Sequence, residues 1–219
     1  MITTADALQI HNPSGFLVID GVNGAGKTTL QKRIADYLCA KKFEVVTSRE
    51  PGATLLGRNL RKLLLENSSE APVALSEMLM FAADRADHVA RIIRPALKRG
   101  AKVIVDRYYY SSVAFQGYGR NLGADLVRQI NELAIDGVYP DLVVLMDLDP
   151  LEGLRRNRLG RPADQDRMEQ EDPDFHARLR SGFLAMARSL REPFIICDAS
   201  RAQEEIFEAL RPALDKVFK

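Results

Sequence analysis

The sequence predicts an α/β fold: a five-stranded parallel sheet flanked by helices, formed as a single domain over residues 1–219. Three observations predict it. Short apolar runs alternate with longer stretches of helical periodicity, the order expected of strand–helix–strand units wound into a mostly parallel sheet. Those runs are aliphatic and β-branched, as strands covered on both faces require. A chain of 219 residues with 46% hydrophobic content supplies one core, and neither an internal repeat nor a low-complexity linker divides it.

The elements follow in order. The first strand is Phe16 to Asp20, and behind it a helix carries Leu30, Ile34, Tyr37 and Leu38 on one face. The second strand is Phe43 to Ser48. The longest helix lies between Val73 and Arg99, where Leu75, Met78, Leu79, Ala82, Val89, Ile93, Ala96 and Leu97 recur at spacings of three and four, and Gly100 ends it. Three further strands are Val103 to Asp106, Leu142 to Asp147 and Phe194 to Asp198. Polar, glycine- or charge-rich segments interrupt the pattern at Arg49 to Gly57, Gln116 to Gly123 and Arg155 to Asp174. Function is expected there, because loops at the C-terminal ends of parallel strands build the site.

Composition limits the partners. Thirty-one Lys and Arg against thirty Asp and Glu leave a net charge of +1, which argues against nucleic acid and against an anionic membrane surface. No apolar run approaches the ~18 residues of a membrane span, and residues 1–14 lack the layout of a secretory leader. Cys39 and Cys197 form no CxxC and have no His beside them, so both read as buried packing residues of a reduced, cytoplasmic protein.

The strongest motif is Gly21-Val22-Asn23-Gly24-Ala25-Gly26-Lys27-Thr28, a full GxxxxGK[ST] between a strand and an amphipathic helix. Its glycines permit a loop whose successive N–H groups point inward at phosphate oxygens, and the positive end of the next helix adds to that field. Lys27 supplies a charge for the β- and γ-phosphates. The Thr28 hydroxyl can ligate Mg²⁺, and Thr29 completes the ATP-binding segment. The motif makes the fold a P-loop NTPase three-layer sandwich. A magnesium carboxylate is expected at the end of a neighbouring strand, and Asp106 is preferred because Arg107 follows it. Asp147 leads into Asp149-Pro150 and reads as a cap for the next helix.

Beyond the cradle, the chain resembles the thymidylate kinase family along nearly its whole length. The segments that carry the resemblance are Arg49-Glu50-Pro51-Gly52, Phe81-Ala82-Ala83-Asp84-Arg85, Asp106-Arg107-Tyr108, Ser111 to Gly117, Tyr139-Pro140-Asp141-Leu142 and Asp166-Arg167-Met168-Glu169. The resemblance implies Mg²⁺-dependent phosphorylation of dTMP to dTDP by ATP, and a homodimer. Phe81 and Arg85 stand four apart and face the same way on the long helix, a ring to stack on a base and a guanidinium to donate to its carbonyl. By resemblance Glu50 lies in the substrate site, Arg61 and Arg107 reach the monophosphate, and Ser112 and Gln116 read the thymine edge. For Ser112 a helix cap, and for Gln116 a water-facing amide, are the plainer readings. His88 is read as a surface residue without a role.

Arg155, Arg156, Arg158, Arg161 and Arg167 crowd a short segment that coincides with the family's lid, about residues 155–174. Gly24 stands where some members carry a P-loop arginine, so the resemblance implies a catalytic cation from the lid, Arg158 or Arg161. Arg167 is expected to be held by Asp166 and Glu169. Two departures bear on the sugar: Asn23 replaces a carboxylate, and Phe115 replaces a tyrosine of many bacterial relatives. The rival readings are a kinase of another nucleotide or nucleoside, and a nucleotide-dependent binding switch. The Asn-Lys-x-Asp segment expected of a guanine-specific switch is absent from the sequence.

Overall fold

The structure is a computed structural model that describes residues 13–68, 70–160 and 166–219. The expected sheet is present, with five parallel strands in the order β2-β3-β1-β4-β5. They are β1 (Phe16–Gly21), β2 (Val45–Arg49), β3 (Lys102–Asp106), β4 (Leu142–Asp147) and β5 (Phe194–Asp198). All six residues of β1 are buried, since this strand is central and helices cover both of its faces.

The strand order reverses at β1, where β3 lies on one side and β4 on the other. Ligand crevices open at such switch points, beyond the C-terminal ends of the strands. Here the register sets Ile19 opposite Asp106, so the loop leaving β1 emerges beside the last residue of β3. Two motifs far apart in sequence therefore meet at one edge of the sheet.

The helices are α1 (Lys27–Ala40), α2 (Leu55–Leu65), α3 (Ala74–His88), α4 (Arg94–Lys98), α5 (Tyr109–Ser112), α6 (Ala124–Ile135), α7 (Pro150–Gly160), α8 (Pro173–Ser189) and α9 (Gln203–Val217). The expected long helix is present as α3 and α4 joined through a π-helical stretch, Val89–Ile93. Pro95 has no N–H to give to the preceding turn, which accounts for the local widening. Gly100, at φ 83°, ends the run as expected.

Four expectations are corrected. The second strand begins at Val45 and not at Phe43, because the Phe43 N–H is spent on Leu38 O, closing the end of α1. Cys39 is exposed, one position off the buried stripe of Leu30, Ile34 and Leu38, a rotation of about 100°. The segments taken as polar interruptions are partly helical: Gln116 lies in a π-helical continuation of α5 over Val113–Gly119, and α7 runs through to Gly160. The cap of α7 is Asp149, whose Oδ1 accepts from Leu151 and Glu152 N–H, while Asp147 is held in a two-point pair with Arg180 at 2.7 and 2.9 Å.

Candidate active site

The loop from Gly21 to Gly26 joins β1 to α1. Gly26 caps α1 in the left-handed region at φ 86°, where no side chain caps the helix and no acidic residue stands in its first turn. The first N–H groups of α1 are therefore left to an anionic ligand. Lys27 is buried and its Nζ donates to Val22 O at 2.7 Å, which lays the ammonium along the loop. Burial, reinforced by the Arg107 charge, lowers its pKa to about 7.

Asp106 and Thr28 meet at the head of this loop. The Thr28 hydroxyl donates to Asp106 Oδ2 at 2.8 Å, which places two hard oxygen groups where Mg²⁺ is expected. Among the described residues no group of three or more His, Cys, Asp and Glu could hold a metal.

Arg107 follows at φ 71°, a left-handed conformation uncommon for an arginine. Its guanidinium holds the position: one nitrogen donates to Gly21 O and Ser111 Oγ, both at 2.9 Å, and the other to Asn23 Oδ1. Asp20, fully buried beneath, accepts from the Ser111 and Tyr108 N–H groups and from the Ser111 hydroxyl, while burial pushes its carboxyl above the usual range. The Phe115 ring lies 5.4 Å from the Arg107 guanidinium.

The second half of the site is a buried polar cluster on α3. Arg85, only 1% exposed, donates to Glu50 Oε2 at 2.8 Å, to Ser112 Oγ at 3.0 Å and to Asn131 Oδ1. His88 is fully buried, against the expectation of a surface residue. Its Nδ1 pairs with Glu50 Oε1 at 2.9 Å and its Nε2 with Ser48 Oγ at 2.7 Å. The imidazole and the guanidinium thus grip both oxygens of one carboxylate. Ser112 accepts from Arg85 and caps no helix, and Gln116 is 1% exposed, so neither plainer reading holds.

One cavity of about 380 Å³ joins the two halves. Asn23, Gly24, Lys27 and Thr28 line its phosphate end, with Asp106 and Arg107. Glu50, Arg61, Phe81, Arg85, Ser112 and Gln116 line the other. Gly21, Val22, Ala25, Gly26 and Thr29 lie in or beside the loop and do not line the cavity. Arg61 donates to Pro51 O at 2.9 Å.

In the segment expected to form a lid, Arg158 is exposed and does not line the cavity, and Arg161 lies outside the described residues. Arg156 does line the cavity, braced by Glu152 at 2.8 Å and Ala199 O at 3.0 Å. Arg167 is held, though by Glu77 at 2.7 Å and Leu64 O at 2.8 Å and not by Asp166 or Glu169. Glu169 instead accepts from Asn23 at 3.1 Å and Asn157 at 2.8 Å, and its pKa is raised by burial and by the nearby Asp166. Sequence reasoning named Arg156 among the crowded arginines but preferred Arg158 and Arg161, and it passed over Asn157 and Asn131, whose local pattern does not set them apart. For Asp20 the position directly before the phosphate-loop motif was a usable signal.

The arrangement can hold a triphosphate at one end and a flat polar ring at the other, with cations between them. Comparisons with known proteins name a family for the chain. A family model described as Thymidylate kinase matches residues 19–210. A thymidylate kinase of Nitratidesulfovibrio vulgaris is 41% identical over 207 residues, covering 92% of this chain and 96% of its own. One from Halothermothrix orenii is 44% identical over 192 residues, 87% of this chain and 91% of its own. Another, from a Nostoc species, is 40% identical over 200 residues, 91% and 94% of the two chains. Such identity, over a span that takes in the strands, the loop and the α3 cluster alike, makes this chain a member of the thymidylate kinase family.

Proposed function

We propose that the chain phosphorylates dTMP with ATP, giving dTDP and ADP. The observation that carries this reading is the single cavity running from the phosphate loop to the Phe81–Arg85 face of α3. A substrate phosphate oxygen, ionised at neutral pH, attacks the γ-phosphorus in line, so no general base is needed. Catalysis is positioning and charge neutralisation. Lys27 meets the transferring phosphoryl group, and Arg107 and Arg61 orient the acceptor monophosphate. Arg158 and Arg161 are the cations we propose to arrive when the lid closes. Phe81 stacks on the base, Arg85 donates to a base carbonyl, and Ser112 and Gln116 complete its edge. Thr28 and Asp106 would hold Mg²⁺, which would supply positive charge to offset that of the phosphates.

We also propose a homodimer. Supporting it, α3 carries two faces: Met78, Ala82, Val89 and Ile93 are buried, whereas Leu75 and Leu79 stay about half exposed. They are joined by Leu63 on α2 and Leu133 on α6, exposed at 62% and 83%. No helix among the described residues is long and apolar enough to cross a membrane. A cytoplasmic location is our proposal for an ATP-using enzyme whose two cysteines are free.

A coupled ADP-release assay over dTMP, dUMP, dCMP and thymidine tests the reading. The expected result is a kcat/KM for dTMP well above the other three. Preference for thymidine or dCMP, or hydrolysis only on addition of a protein, would overturn it.

A further inference from the structure

Glu77 is fully buried on α3, and it accepts a hydrogen bond from Gln116 Nε2 at 2.7 Å. Two guanidinium groups flank the same carboxylate: Arg167 at 2.7 Å and Arg120 at 3.3 Å. Arg120 in turn pairs with Glu171 at 2.6 Å. Between those cations Glu77 is a carboxylate, and a carboxylate can only accept. The Gln116 amide is therefore obliged to give it the NH₂ group. Its oxygen, Oε1, is then the atom left over. That oxygen is buried, has no hydrogen-bond partner, and belongs to a side chain in the cavity wall.

A buried acceptor without a partner is costly, so the site favours a ligand that brings an N–H to it. Arg85 presents the opposite polarity in the same cavity, a guanidinium that can only donate. The two demands together describe a base edge with an N–H beside a carbonyl, which among the pyrimidines is the imide edge of thymine or uracil. Cytosine exchanges the two, with an amino group where the carbonyl stands and a bare ring nitrogen where the N–H stands, and so meets neither demand in that register. Were the amide reversed, Gln116 would offer a donor and lose this discrimination at the ring nitrogen.

We propose that Glu77 is a specificity-determining positioning residue, which fixes the orientation of the Gln116 amide so that its oxygen faces the imide N–H of the substrate. Glu77 touches no substrate and acts through Gln116. The proposal rests on the cavity being a dTMP site.

The test measures kcat and KM for dTMP and for 5-methyl-dCMP, which differ at the ring edge alone, in wild type, Glu77→Gln and Glu77→Asp. A glutamine at 77 can donate, which frees the Gln116 amide to turn. Glu77→Asp keeps the charge that Arg120 and Arg167 pair with, and withdraws the acceptor by one methylene. The expected result for Glu77→Gln is a rise of about tenfold in KM for dTMP, with kcat and the ATP KM within about threefold and 5-methyl-dCMP little affected. Glu77→Asp should move in the same direction by a smaller factor. In a Gln116→Met background the change at 77 should no longer alter the ratio of the two substrates, since the group it acts through is gone. Equal loss for both nucleotides, or a shift in selectivity that persists in the Gln116→Met background, would overturn the proposal. A wild-type enzyme that does not prefer dTMP to 5-methyl-dCMP sinks the dTMP reading itself. Wild-type preference retained in both Glu77 variants sinks only the role of Glu77.

Discussion

Lys27 shows what one burial does. Held against Val22 O and beside Arg107, its ammonium sits near a pKa of about 7, so above that pH the loop is partly uncharged before ATP arrives. Polyphosphate restores the charge, because an anion at contact favours the protonated amine. Binding of ATP at pH 8 is therefore expected to take up as much as about one proton, read by calorimetry in buffers of differing ionisation enthalpy. Lys27→Ala should abolish that uptake and turnover together while the protein remains folded. Heat of binding that is the same in every buffer would contradict the assignment. Arg85→Ala should raise the KM for dTMP far more than that for ATP, since its guanidinium lies among Glu50, Ser112 and Asn131 and away from the phosphate loop. Equal weakening of both ligands would refute that role. Lys27, Thr28 and Asp106 were legible because a contiguous motif and a strand end announce them. His88, Asn131 and Glu77 were not, because their partners lie 38, 46 and 39 residues away and only the fold brings them together.

Elements were legible where a single periodicity governs them. The five strands and the long α3 register declare themselves by apolar pattern, whereas the π-helical stretches at Val89–Ile93 and Val113–Gly119 carry no period of their own and were read as helix or loop. On α3 itself, Asp84 is buried beside Glu50, and burial with that neighbouring charge raises its pKa from 3.8 to about 6. The folded state thus holds this proton better than the unfolded chain, so ionising Asp84 lowers stability as pH rises from about 4 through 6. Two pK units correspond to about 3 kcal/mol as an upper figure. Asp84→Asn keeps an acceptor for the Gly52 N–H and removes the charge. It is expected to be more stable than wild type to urea at pH 8, with the advantage gone at pH 4. An advantage of the same size at both values would show that the charge is not the cause. On α7, whose end enters the segment expected to form a lid, Arg156 already reaches the cavity, while Arg158 stands outside it. Arg156→Ala should therefore weaken ATP binding. Arg161→Ala, or failing that Arg158→Ala, should slow the single-turnover chemical step on the order of 10³-fold with little change in binding. A wild-type chemical step in both would place the catalytic cation elsewhere.

At the scale of the whole molecule, the leucines left exposed on α2, α3 and α6 predict a partner. Light scattering at micromolar concentration should report twice the 24.5 kDa of one chain. Leu75→Glu with Leu79→Glu should return it to 24.5 kDa. A 24.5 kDa wild type would end the proposal. The phosphate loop and α7 are in turn bound to each other by an absence of side chains. A Cβ at Gly24, whose φ is 73°, would stand 2.0 Å from Gly153 O, and one at Gly153 would stand 2.2 Å from Asn23 O. Helix α7 rests on bare backbone. An arginine therefore cannot be introduced at position 24 while α7 keeps its seat, and Gly24→Arg alone is expected to destabilise the fold and cripple ATP binding. Position 24 is thus closed to any single substitution that adds a side chain, and a cation can enter the loop there only after α7 has moved.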